Sequence, residues 1–180
     1  MEEDVLQLVR LRLSGWLRPV HVLRLAGNPQ ESGRYPGAEP LCVEDGRVLA
    51  AHSYRLLLQV NEERQILSAP RWPITRVLDA KGCRRALARP HHRWHGWMRG
   101  AMAEIDDVLH DAAASLDDSA AAERIRDSAG FHGLYDYVWG HAEQPPPMHR
   151  RLAWWDEQMR WLRRSLHVMD AHQRLPAHHR

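Results

Sequence analysis

"QLVRLRLSGWLRPVHVLRL", residues 7–25, sets Val9, Leu11 and Leu13 against Arg10 and Arg12 with a period of two. Successive side chains of a strand point to opposite faces, so the alternation predicts a strand with one face buried. Ser14-Gly15 then predicts a hairpin turn into a second strand through Val20, Val22 and Leu25. Pro19 has no N–H to give to a ladder, which puts it at the beginning of that strand or at a sheet edge.

Working outward, residues 27–40 are rich in glycine and proline and predict a surface loop. "LCVEDGRVLAA", 41–51, predicts a further hairpin turning at Glu44-Asp45-Gly46. "YRLLLQV", "NEER" and "QILSA", 54–69, read as a third pair of strands around a turn. "RWPITRVLDAKG", 71–82, leaves this region as a last strand or a loop.

From about residue 85 the apolar period becomes helical. In "ALARPHHRWHGWMRGAMAEIDDVLHD", 86–111, Pro90 suits a first helical turn, where a missing N–H costs nothing. Trp94, Trp97, Met98, Ala101, Met102, Ile105, Val108, Leu109 and Ala112 then fall on one arc. A second helix is expected from the Asp117-Asp118-Ser119 cap to before Gly130, and a third over Phe131, Leu134, Tyr135, Val138 and Trp139. After the stiff "EQPPPM" break, Leu152, Trp155, Met159, Leu162, Leu166 and Met169 are spaced 3-4-3-4-3, an apolar seam that predicts one long last helix. The expected fold is therefore α+β: an N-terminal antiparallel β-sheet of hairpins over residues 1–83, followed by a C-terminal bundle of about four α-helices over 84–180. The two parts form one domain or two tightly packed halves.

Composition narrows the functional classes. The formal charge of +2 gives no global field that forces a nucleic-acid reading. Lys81 is the sole lysine, so 24 of the 25 basic residues are arginine, whose planar donor fork suits phosphate, carboxylate and aromatic stacking. Cys42 and Cys83 make neither a disulfide framework nor a metal-ligand spacing, although the cations Arg84 and Arg85 beside Cys83 could lower its thiol pKa. An acidic start and the absence of a long apolar run give no sign of a signal peptide or a membrane span, so the expected location is cytoplasmic, with no membrane partner.

Arginines gather in three places: Arg10, Arg12 and Arg18; Arg84, Arg85, Arg89, Arg93 and Arg99 with Trp94 and Trp97; and Arg150, Arg151, Arg160, Arg163 and Arg164. Arginine contacts phosphates and aromatic rings stack on bases, so Arg84, Arg85, Arg89, Arg93, Trp94, Arg99, Arg10 and Arg12 are the candidate nucleic-acid contacts. A helix-turn-helix over 119–140 is disfavoured, because "FHGLYDYVWGH" has no Arg or Lys for bases or phosphates.

Histidines suggest a metal. His91 to His110 spans about 28 Å of helix, far beyond the reach of one ion, which leaves the pairs Asp106/His110 and His132/Asp136 as a possible two-helix site for a divalent cation. No nucleotide-binding glycine loop, nucleophile elbow or zinc-protease motif is present. The favoured expectation is a non-catalytic intracellular protein that contacts DNA or RNA through arginine and aromatic side chains, alone or as a subunit of a nucleoprotein complex, with no cofactor. The alternatives are an assembly protein or homodimer using Trp154, Trp161 and Arg164 of the last helix as interface anchors, and a metal-dependent enzyme built on the His/Asp pairs.

Overall fold

The computed structural model describes residues 5–27, 37–67, 74–90, 94, 96–127, 129–138 and 140–169; of 74–75, 126–127 and 129–132 only the backbone is described. Strands β1 (Val5–Leu11) and β2 (Val20–Ala26) pair antiparallel with Leu11 opposite Val20, as the alternation predicts. Strands β3 (Val43–Glu44) and β4 (Arg47–Ala51) form the second hairpin. Its turn residues Asp45 and Gly46 have φ of +49° and +69°, the left-handed pair that an Asp-Gly tip supplies with little strain.

The fold is α+β, with six strands and six helices among the described residues. The sheet is mixed rather than purely antiparallel. β5 (Ile74–Leu78) runs parallel to β1, and β6 (Leu166–Met169) runs parallel to β4 on its far side. The expected division at 83/84 falls inside α2 (Ala80–Leu87), and the sheet takes its last strand from the C-terminal part of the chain.

Three elements differ from expectation. Residues 54–64 form α1 (Tyr54–Arg64), not a strand. Leu57, Val60 and Asn61 are its buried residues, a spacing of three and four that the run Leu56-Leu57-Leu58 conceals. The long helix α3 (Gly96–Ser115) begins after Pro90, and Trp97, expected on its apolar arc, is 58% exposed. The last helix, α6 (Met148–Ser165), ends before Leu166. The final two seam positions belong to β6, whose register sets Leu166 opposite Val48 and Met169 opposite Ala51. Pairing with an otherwise open strand edge outweighs another turn of helix there.

Helices α4 (Ser119–Asp127) and α5 (Ala129–Val138) complete the set. Both faces of the sheet are covered. Leu8, Leu23, Cys42, Leu49, Ala51 and Met169 pack with Leu57 and Val60 of α1. Val9, Leu11, Val20, Val22, Val48 and Ala50 pack on the other face with α2, α3 and α6. Each fully buried Val or Leu contributes about 1.5–3 kcal/mol, which is what the alternation of β1 encodes on its two sides. Arg24 of β2 crosses to α3, where its Nη1 donates to Asp111 Oδ2 at 2.9 Å, and the Glu39 N–H donates to Asp111 Oδ1 at 2.8 Å.

Candidate functional site

The hairpin between β1 and β2 has a longer connection than Ser14-Gly15 alone suggests: residues 12–19 lie outside the paired register. Leu13 is buried beneath the loop, and Gly15, at φ +81°, lets the Trp16 N–H return to the Leu13 carbonyl at 3.3 Å. Helix α6 holds the loop from below. Arg163 Nη1 donates to the Ser14 carbonyl at 2.9 Å, and its Nε donates to the Met159 carbonyl at 3.2 Å. Trp16 is half-buried against the core, whereas Leu17 is 105% exposed, as accessible as a free side chain.

The first turn of α2 is fastened to the same end of the sheet. The Arg12 N–H donates to the Leu78 carbonyl and the Lys81 N–H to the Arg12 carbonyl, each at 2.9 Å. Asp79 caps α2, its Oδ1 accepting from the Gly82 N–H at 3.0 Å. These bonds place Arg12, Arg18, Lys81 and Arg85 around one cleft of about 290 Å³, with Trp16 and Leu17 in its wall. A second cleft of about 360 Å³ lies on the α6 side of Trp16, lined by Arg160, Arg163 and Arg164. Trp16 belongs to both clefts, so cations from the hairpin, α2 and α6 surround a single indole.

Four arginines elsewhere in the fold, Arg24, Arg64, Arg76 and Arg84, have acidic partners. Arg84 makes a two-pronged ion pair with Asp156 at 2.6 and 2.7 Å, and those hydrogen bonds hold the Asp156 carboxyl below its ordinary pKa. Arg76 pairs with Glu104 at 3.0 Å, and Arg64 pairs with Glu44. By contrast, the side chains of Arg12, Arg18, Lys81, Arg85 and Arg164 have no hydrogen bond or ion pair among the described residues.

The structure brings together only part of the expected nucleic-acid set. Arg12 and Arg85 are on this face, and Arg84 is engaged by Asp156. Trp94 is 9% exposed, edge-on to Tyr137 at 5.3 Å, with the Arg151 guanidinium 5.2 Å from its ring centre. Arg99 lies 4.6 Å over the Tyr137 ring and donates to its hydroxyl at 2.8 Å. Arg89 is exposed beyond α2, its carbonyl accepting from Arg151 and Trp94; Arg10 is half-buried; Arg93 lies outside the described residues.

Of the expected interface anchors, Trp154 and Trp161 are 6% and 8% exposed and belong to the core, where Trp161 Nε1 donates to Asp118 Oδ2 at 3.1 Å. Arg164 is exposed beside Trp16. Asp106 lines a small cavity with Met102, Leu134, Trp154 and Trp155, where burial, and then the charge of Asp107, pushes its carboxyl pKa up to about 7. Among the described residues no three His, Cys, Asp or Glu side chains are grouped to hold a metal ion; Asp136 and His110 are included in that set, and the side chain of His132 is not. Burial, with the charge of Asp79, pushes the Cys83 thiol up to about 12, opposite to the lowering that Arg84 and Arg85 suggested.

Trp16, Lys81 and the α6 contribution to this face are not in the expected set. The sequence signal for the first is the placing of Trp16-Leu17, a large apolar pair, at a hairpin tip between Gly15 and Pro19. No described helix is long and apolar enough to cross a membrane.

No family model matches the chain, and no curated protein matches it. Among solved structures, the chain is similar to the C-terminal domain of SatS, crystallised in complex with bromine. The TM-score is 0.62 at 14% identity, covering 91% of this chain and 94% of that one. At that identity the likeness concerns the fold alone.

Proposed function

We propose that the face around Trp16 binds single-stranded nucleic acid, the backbone running between the two cationic clefts and a base stacking on the indole. One observation carries the reading: cations without an acidic partner, from three separate elements, converge on both sides of one half-buried aromatic ring. Unpaired arginines repel one another, and an arrangement that leaves them together favours a polyanionic occupant that neutralises them. A partly exposed indole beside them adds stacking that is tolerant of sequence, about 1–3 kcal/mol per base. The helix-borne cluster at residues 84–99 takes no leading part in this reading, since Trp94 is buried, Arg84 is held by Asp156 and Arg99 by Tyr137.

Fluorescence anisotropy with a labelled single-stranded oligonucleotide at low ionic strength tests it. Saturable binding is expected, weakened about ten-fold or more by Trp16→Ala and by the pair Arg12→Ala/Arg85→Ala. Anionic vesicles are the control, because Leu17 beside Trp16 within a ring of cations also resembles a lipid-surface footprint. Retention on vesicles with no oligonucleotide binding would replace the nucleic-acid reading.

A further inference from the structure

The cleft formed by Arg12, Arg18, Lys81 and Arg85 differs from the α6 side of the face in its walls and in its free donors, since Arg160 and Arg163 on the α6 side already donate to backbone carbonyls. Four cations line it with a single carboxylate, that of Asp79, so the lining carries three net positive charges. The Asp79 carboxylate is turned to the Gly82 N–H as the α2 cap and takes no cation of the cleft as a partner. Leu13, Trp16, Leu17 and Pro19 supply apolar wall on the hairpin side, lowering the local dielectric and strengthening attraction for an anion.

An internal phosphodiester brings one negative charge and two free oxygens. A phosphomonoester brings about −1.5 to −2 charges at neutral pH and three terminal oxygens. Three arginine forks and one ammonium offer more donors and more charge than a diester can use, and match a monoester. A volume of about 290 Å³ leaves room for the phosphate with its sugar behind it, and Trp16 is part of the same wall.

We therefore propose that this cleft takes a phosphomonoester, so that the face grips a nucleic-acid strand by a phosphorylated end while the α6 side follows the internal backbone. This rests on the nucleic-acid reading above and names the group at one end of it. The same chemistry also describes a free nucleoside monophosphate, and the experiment separates the two sources.

Affinities are measured for one oligonucleotide sequence in three forms, with 5′-phosphate, 3′-phosphate and hydroxyl at both ends, and for a nucleoside monophosphate alone. At least one phosphorylated form is expected to bind ten-fold or more tightly than the hydroxyl form. Lys81→Ala/Arg85→Ala removes that preference, whereas Arg160→Ala/Arg164→Ala weakens all three forms alike. All four side chains are exposed, so neither pair disturbs the core. A nucleoside monophosphate that binds as tightly as the phosphorylated strand assigns the cleft to free nucleotide. Equal affinity for phosphorylated and hydroxyl strands overturns the inference and leaves the nucleic-acid reading standing; no binding of any strand overturns that reading itself.

Discussion

Arg163 of α6 donates through Nη1 to the carbonyl of Ser14 at 2.9 Å, across 149 residues of sequence, and so holds the hairpin loop that presents Trp16. A charge-assisted bond of this kind contributes about 1.5–3 kcal/mol when partly buried. Arg163→Ala is expected to lower stability by about 1–2 kcal/mol in urea unfolding. It also speeds amide exchange in residues 13–18, and oligonucleotide affinity falls by more than removal of one cleft charge explains. Arg163→Lys keeps the charge but not the fork, so it restores little. Unchanged exchange in the loop would show that Arg163 does not position it.

Gly15 makes the same contact testable from the other side. Its φ is +81°, and a Cβ there would lie 2.9 Å from Arg163 Nη1. Gly15→Ala is expected to cost about 1–2 kcal/mol through backbone strain and displacement of the guanidinium. In the Arg163→Ala background the cost should shrink toward the backbone part alone, which a double-mutant cycle measures.

Asp111 is nearly inaccessible and bonds both Arg24 and the Glu39 N–H. Asp111→Ala removes the α3 partner of Arg24, which keeps Glu39 at 3.1 Å, so a loss of about 1.5–3 kcal/mol is expected, the worth of a hydrogen bond to a charged group. Asp111→Asn keeps an acceptor for the Glu39 N–H and is expected to cost less. Equal losses in urea unfolding would show that charge, and not hydrogen bonding, carries the link between β2 and α3.

Asp106 gives a pH-dependent difference. Burial pushes its carboxyl from 3.8 up to about 7 in the fold, so the folded state favours the protonated form. That contribution to stability is complete below the unfolded pKa of about 4 and is lost as pH rises through 7. Asp106→Asn cannot ionise. It is therefore expected to exceed the parent protein in stability by about 2–4 kcal/mol at pH 8.5, the advantage narrowing steadily toward pH 4.5. Parallel stability curves for the two proteins would contradict this account of the residue.

Local patterns in the sequence carried the two hairpins because period-two alternation and an Asp-Gly tip are local signals. The helix α1 was hidden because Leu56-Leu57-Leu58 is apolar on every side, and only the burial of Leu57, Val60 and Asn61 separates helix from strand. Leu166–Met169 was harder still: its spacing continues the seam of α6, and what makes it a strand is the edge of β4, over a hundred residues away. The candidate site was legible in its chemistry but not in its assembly. Arg84 and Arg85 are neighbours in sequence, yet one meets Asp156 and the other faces the cleft, a difference set by α6. Trp16 joins residues from the hairpin, α2 and α6, and no window of sequence contains all three.

The most direct measurement is the salt dependence of single-strand binding, followed through the change in tryptophan fluorescence as oligonucleotide is added. For single strands the logarithmic slope is about −0.7 per phosphate neutralised. Engagement of four or five phosphates by this face predicts a slope of about −3. Arg12→Ala, Arg85→Ala and Arg164→Ala together should make it shallower by about 2. A slope near zero, or an unchanged slope in the triple variant, would contradict the assignment of this face as the nucleic-acid interface.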